Sequence, residues 1–322
     1  MSTAPHPDAP QEPDPAPPAE RPRLTSEQIG RRTVAVVLAG AAVLAVGVMV
    51  GEITGREERA GNAPREESPT AAGDPSSPPR TDPVVGAGPD STGVRAGTSL
   101  RPQDPGILHE DDLVLDGVLV QGDLALVGQG QVLRNSRVEG HLLVRGDDVT
   151  IEDSEVGALS ISGATAVVAR GVEVFGNSGD DGIHVTSDGA ERTSQVLIEG
   201  SWVHSPQVEP ESHYDGIQVR GVDGLTLRGN TFDLGPWMDR YNAAIFLEDA
   251  NGGNDDVLVE GNVINGGGYA VYVGGTGVRF VDNRFGRDAN WGLLYPTYTP
   301  FEESGSAWAD DGTPVSLLDD VG

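Results

Sequence analysis

A hydrophobic residue returns at one fixed interval through the middle of this chain, and that spacing restricts the fold more than any other feature. Val120, Val138, Val156 and Val174 close four matching segments (LDGVLV, LRNSRV, IEDSEV and VARGVEV), 18 residues apart each time. Val203, Phe232, Ile264 and Phe285 continue the series in VLIEGSWV, LTLRGNTF, VLVEGNVI and VRFVDNRF, at intervals of 29, 29, 32 and 21. Units this short cannot bury a face alone, so they must stack, one coil per interval, with the insertions gathered on one side. The segments are rich in Val, Ile, Leu and Thr, alternate in polarity and are divided by Gly, Asn and Asp, which is strand and turn chemistry. The expected fold is all-β, a solenoid of parallel strands over residues 105–300, with residues 301–322 closing its open end. A sandwich or barrel also has many short strands, but it does not explain three equal intervals.

Residues 33–51 form an uncharged apolar run, which at 1.5 Å per residue crosses about 28 Å of hydrocarbon. The run reads as a transmembrane signal anchor. A cleaved signal peptide would have a shorter apolar core and a small-residue cleavage site, and none follows before Glu52. Arg31 and Arg32 abut the run, which puts residues 1–32, a Pro-rich tail without a core, in the cytoplasm. Residues 52–104 carry Pro, Gly, Ser and mixed charge without periodicity and read as a disordered stalk, leaving the solenoid outside the cell. The chain has no Cys, so it forms neither disulfides nor Cys-ligated metal sites, and its net charge of −29 opposes nucleic acid.

The units VLIEGSWV, LTLRGNTF, VLVEGNVI and VRFVDNRF, with DGIHV (181–185) and DGIQV (215–219), resemble the right-handed parallel β-helix repeat proteins of the pectate-lyase-like superfamily. The resemblance covers about residues 110–296 and implies the scaffold more strongly than a chemistry. The polygalacturonase branch of that superfamily pairs an Asp-Asp element with Gly-His-Gly and Arg-Ile-Lys. This chain has Asp180-Asp181 and neither of the others. The pectate-lyase branch implies Ca²⁺ held by acidic residues, for which Asp180, Asp181 and Asp215 are the candidates. No EF-hand or nonapeptide Ca²⁺ repeat accompanies them.

In the long coils a second strand follows each loop: DGIHV, DGIQV, AAIFL and YAVYV. With Ile183, Ile217, Ile245 and Val271 inward, alternation sends His184, Gln218, Phe246 and Tyr272 outward as one column. Thr186, Arg220 and Glu248 flank it on one side, and Gly182, Gly216, Ala244 and Ala270 on the other, where their small size would leave a trough for a linear polysaccharide. Gln218, Phe246, Tyr272, Glu248, Arg240 and Trp237 are the candidate substrate contacts, since sugars offer apolar ring faces and hydroxyl edges. The candidate catalytic residues are His213, Asp215, His184, Arg220, Asp181 and Tyr241. A lyase would use His213 or Tyr241 as base and Arg220 or Arg240 as charge stabiliser, whereas a hydrolase would use two carboxylates such as Asp181 and Asp215, or Glu248. A non-catalytic glycan-binding or structural β-helix at the cell surface fits the same residues.

Overall fold

The computed structural model describes residues 86–176, 181–187 and 191–320. The pairings between strands are all parallel, and each coil contributes to three stacks. On the first stack Val120, Val138, Val156, Val174, Val203, Phe232, Ile264 and Phe285 fall in register, each 0% exposed. The irregular intervals of the sequence are therefore regular in space. The second stack carries Leu124, Leu142, Leu159, Ile183, Ile217, Ile245, Val271 and Leu294 in one inward column. The third carries Leu115, Leu133, Ile151, Ala169, Ile198, Leu227, Val259 and Phe280. Stacking these three columns gives one continuous apolar core.

The corner after the third stack explains why the repeats end in Gly-Ser, Gly-Asn or Asp-Asn. Gly200, Gly229, Gly261 and Asp282 all have φ between 53° and 63°, a left-handed turn that favours Gly and tolerates Asp. The residue that follows points inward and binds the next coil. Asn262 Oδ1 accepts the Asn230 N–H at 2.8 Å, Asn283 Oδ1 accepts the Asn262 N–H at 3.0 Å, and Asn262 Nδ2 donates to the Leu227 carbonyl at 2.9 Å. Asn230, Asn262 and Asn283 are each 0% exposed, so a lost partner is not replaced by water. Replacing Asn262 with Ala should cost about 2–4 kcal/mol through the donors and acceptors it orphans, read as a lower denaturant midpoint. An unchanged midpoint would remove the ladder from this account of stability.

Outside the third stack, Asp116, Arg134, Glu152, Arg170, Glu199, Arg228 and Glu260 form a column of alternating charge. These side chains are part-exposed, so each pair contributes little, but a slip by one coil would set like charges together.

Two expectations about the ends change. The pairing of strands starts at Arg101–Gln103 and runs to Ala307–Trp308, so the segment after residue 300 adds a partial coil before the short 3-10 helix Leu317–Asp320. The stalk reading fails for its described portion: residues 86–99 lie across the first stack. The Gly93 N–H donates to the Gly171 carbonyl at 2.9 Å, the Val94 N–H to Glu155 Oε1 at 3.3 Å, and Arg95 pairs with Asp153. Backbone hydrogen bonds hold this strap, which is why its polar composition did not reveal it. No helix among the described residues is long and apolar enough to cross a membrane, and the run at 33–51 lies outside them.

Candidate functional site

In the early coils Arg137–Val144 and Glu155–Ser162 pass unbroken from the first stack to the second. In the later coils loops open at that corner, and they deliver polar residues to the entry of the second-stack strands Ile183–Thr186, Tyr214–Arg220, Tyr241–Glu248 and Tyr269–Val273. The outward column forms as expected: His184 pairs with Gln218, Gln218 with Phe246 and Phe246 with Tyr272. The flanking row of small residues does not. Ala244 and Ala270 belong to the core, and a Cβ on Gly182 would lie 2.8 Å from the buried Val203 Cγ1. The register is irregular between Tyr214 and Asp215, where Asn242 on the next coil is left without a partner.

That bulge builds the site. Asn242 turns outward and bridges two coils: its Nδ2 donates to Asp215 Oδ1 at 2.8 Å, and its Oδ1 accepts the Tyr272 hydroxyl at 3.2 Å. On the other side, Asp181 Oδ1 accepts the Asp215 N–H at 3.0 Å, so the two carboxylates sit on adjacent coils. Asp215 is 0% exposed, and its Oδ2 has no hydrogen-bond partner among the described residues. Burial, then the neighbouring Asp181 carboxylate, hold the Asp215 carboxyl well above the usual Asp range. His213 is 65% exposed and stands beside this acid, with Nδ1 3.7 Å from Oδ2, beyond hydrogen-bond reach. The buried Tyr214 hydroxyl is also unpartnered among the described residues, and burial, then Asp181, push its ionisation upward.

The other candidates lie elsewhere. His184 and Gln218 are three residues further along their strands from Asp181 and Asp215, about 10 Å away. Burial, then the Arg220 charge, drop His184 to about 4, so it is neutral at physiological pH. Arg220, at the far end of the strand from Asp215, is spent on Glu248, with Nε 2.9 Å from Oε2. The expectation of Arg220 as a free charge stabiliser is thus corrected by its ion pair. Tyr241 is corrected too: it is 6% exposed and packs in the core, its hydroxyl 3.4 Å from the Pro206 carbonyl, out of reach as a base. Arg240 lies by Asp239 at 3.6 Å, and Trp237 Nε1 donates to the Tyr241 carbonyl at 3.2 Å.

Asp180 lies outside the described residues. Among the described residues no group of three acidic or His side chains could hold a metal ion.

An aromatic platform continues the outward column, and sequence reasoning found only part of it. Tyr295 stacks on Tyr272 at 4.4 Å and 16°, Phe246 lies 4.8 Å from Tyr272 on the other side, and Tyr269 meets Tyr272, Trp291 and Tyr295 at 5.3–5.7 Å. Trp237 joins through Trp291 at 5.7 Å. Trp291 is 55% exposed and Tyr295 36%. Two of the four tryptophans and three of the six tyrosines meet here. The available signal was the loop ANWGLLY, which places both rings one coil beyond Tyr272.

The family model described as right handed beta helix region matches residues 131–297. Among solved structures the chain is similar to the A-module of a mannuronan C-5 epimerase from Azotobacter vinelandii, at 15% identity and a TM-score of 0.45, over 60% of this chain and 57% of that one. It therefore spans less than two thirds of that module. It is similar to an alginate lyase from Paenibacillus sp. at 15% identity and a TM-score of 0.34, over 63% of this chain and 80% of that one. A tailspike protein mutant of Escherichia coli bacteriophage HK620, solved with a pentasaccharide, matches at 16% identity and a TM-score of 0.24, over 62% of this chain and 42% of that one. No curated protein sequence matches. Likenesses this distant carry no argument, and the chemistry must come from the residues.

Proposed function

The chain belongs to the right-handed beta helix family, and on that scaffold we propose that the second-stack face binds a linear polysaccharide and that Asp181 and Asp215 hydrolyse it. The observation that carries this reading is the pair of carboxylates on adjacent coils, one held above the usual Asp range by its burial, linked through Asn242 to the aromatic platform at Tyr272. Glycoside hydrolysis needs one carboxylic acid to protonate the leaving oxygen and one carboxylate to act as base or nucleophile. Unequal environments assign those roles. Asp215 is the acid; Asp181, less buried, is the carboxylate. Because Asp215 Oδ2 is buried with His213 Nδ1 3.7 Å away, the reading requires the His213 side chain to move aside for a glycosidic oxygen to reach it.

A neutral glycan suits the site better than a uronate. Elimination from a uronate needs a cation on the substrate carboxylate as charge develops; of the two candidates, Arg220 is held by Glu248 at the far end of the strand and Arg240 lies beside Asp239. The net charge of −29 also repels polyanions. Incubation with neutral and uronic linear glycans tests the reading: new saturated reducing ends support it, and unsaturated products absorbing in the ultraviolet would replace it with elimination. Binding without any new end would leave a non-catalytic glycan-binding protein.

The same reading places the β-helix outside the cell, carried by residues 33–51 as an anchor. The full chain should then sediment with membranes and resist extraction by carbonate, and recovery in the soluble fraction would overturn the anchor.

A further inference from the structure

The first stack carries a second constellation, which the glycan site does not use. Glu173 pairs in register with Trp202, so the residue two further on, His204, comes out beside Glu173 on the same outward face. His204 Nε2 lies 3.1 Å from Glu173 Oε1, and His204 Nδ1 lies 2.8 Å from Ser205 Oγ. The Trp202 ring stacks on the imidazole at 3.5 Å and 14°, so the ring is fixed in plane as well as in direction. The His204 side chain is 14% exposed and that of Glu173 23%, whereas Ser205 is open to solvent.

Ser205 itself has φ +50°, a left-handed conformation that costs a residue with a side chain on the order of 1–3 kcal/mol. The equivalent positions in two neighbouring coils are Gly176 at φ +54° and Gly266 at φ +89°, so the chain turns left-handed there as well, and at Ser205 a residue with a side chain takes that corner. The left-handed turn leaves the hydroxyl beside the imidazole. A carboxylate on Nε2 takes the ring proton there and leaves the Nδ1 lone pair to accept the serine O–H. This is the relation of orienting acid, base and nucleophile that defines a hydrolytic triad, recognised by geometry and not by sequence order.

We infer that Glu173, His204 and Ser205 form a second hydrolytic centre that cleaves small acyl esters. The Ser205 oxygen attacks the acyl carbonyl carbon and forms a new C–O bond while its proton passes to His204 Nδ1. Collapse of the adduct breaks the bond to the alkoxy oxygen, which leaves as the alcohol with that proton. Water then attacks the acyl-serine, His204 takes its proton and returns it to Ser205 Oγ, and the carboxylic acid departs. No oxidant, metal or further reactant enters. The open setting of Ser205 suits an acetyl-sized group presented on a larger molecule.

The test uses the full chain with a fluorophosphonate probe, peptide mapping of the adduct, and hydrolysis of p-nitrophenyl acetate. One phosphonylated residue, Ser205, is expected. Ser205→Ala, a surface change, should leave the melting midpoint unmoved and abolish the adduct, with esterase turnover falling at least about 100-fold. Glu173→Gln, which keeps the shape but not the charge, should slow labelling at least about tenfold without changing which serine is labelled. Absence of labelling in the folded chain, labelling that survives Ser205→Ala, or a rate indifferent to Glu173→Gln would each overturn the triad.

Discussion

Asp215→Asn should abolish glycan cleavage and, at the same time, stabilise the protein at neutral and alkaline pH. Loss of the acid removes the proton the leaving oxygen requires, a step that typically supplies a factor of about 10²–10⁴. The substituted amide keeps an oxygen to accept from Asn242, so the local frame survives. The stability effect follows from linkage. The folded carboxyl titrates above its unfolded value near 4, so between those two values the native state holds a proton that the unfolded chain has released. Stability contributed by that proton is present below about pH 4 and is lost as pH rises through the folded value, at about 1.4 kcal/mol per pH unit while the window lasts. The variant carries no titrating group there. Its melting midpoint should equal the parent's near pH 4 and exceed it by at least about 3 °C at pH 8. A variant that is less stable at pH 8 would show that Asp215 is not strained by its burial, and one that still cleaves would show that it is not the acid.

The second large effect belongs to the platform. Trp291→Ala should weaken binding of a linear glycan roughly 10–50-fold while moving the melting midpoint little, because a ring 55% exposed covers little core. Burying about 60–100 Å² of that ring under a sugar is worth on the order of 2 kcal/mol, which is the same factor expressed in free energy. Tyr272→Phe is the finer probe, since it keeps the ring and removes only the hydroxyl that donates to Asn242 at 3.2 Å. It should preserve binding and lower turnover, because Asn242 also holds Asp215. Titration calorimetry on the two variants separates the roles, and unchanged affinity in Trp291→Ala would take the platform out of the binding site.

The parallel β-helix was legible because each rung must supply one aliphatic or aromatic residue to a column. Val120 to Phe285 could therefore be aligned by period alone, through loops of unequal length. The outward column from His184 to Tyr272 followed from the same register. What the period could not reveal was departure from it. Asn242, the residue joining the acid to the platform, is left without a register partner at the irregularity between Tyr214 and Asp215, and a period does not mark such an insertion. Tyr241 reads as an exposed loop residue by its neighbours Asp239 and Arg240, yet it starts the strand Tyr241–Glu248 and its ring packs in the core. Trp291 and Tyr295 lie in or beside a loop, where direction is set by packing against Tyr269 and Tyr272 and not by strand alternation. The strap at 86–99 offered no apolar signal because main-chain hydrogen bonds and Arg95 hold it.

The central claim is that a sugar chain lies across the second-stack face with a glycosidic bond at the two aspartates. A crystal structure of the Asp215→Asn variant soaked with a neutral linear oligosaccharide tests it most directly. The account predicts sugar rings packed on Tyr272, Tyr295 and Trp291, with a glycosidic oxygen within about 3 Å of the side chain at position 215. An oligosaccharide bound on the first or third stack, or one on the platform whose glycosidic oxygens all stay far from positions 181 and 215, would contradict it.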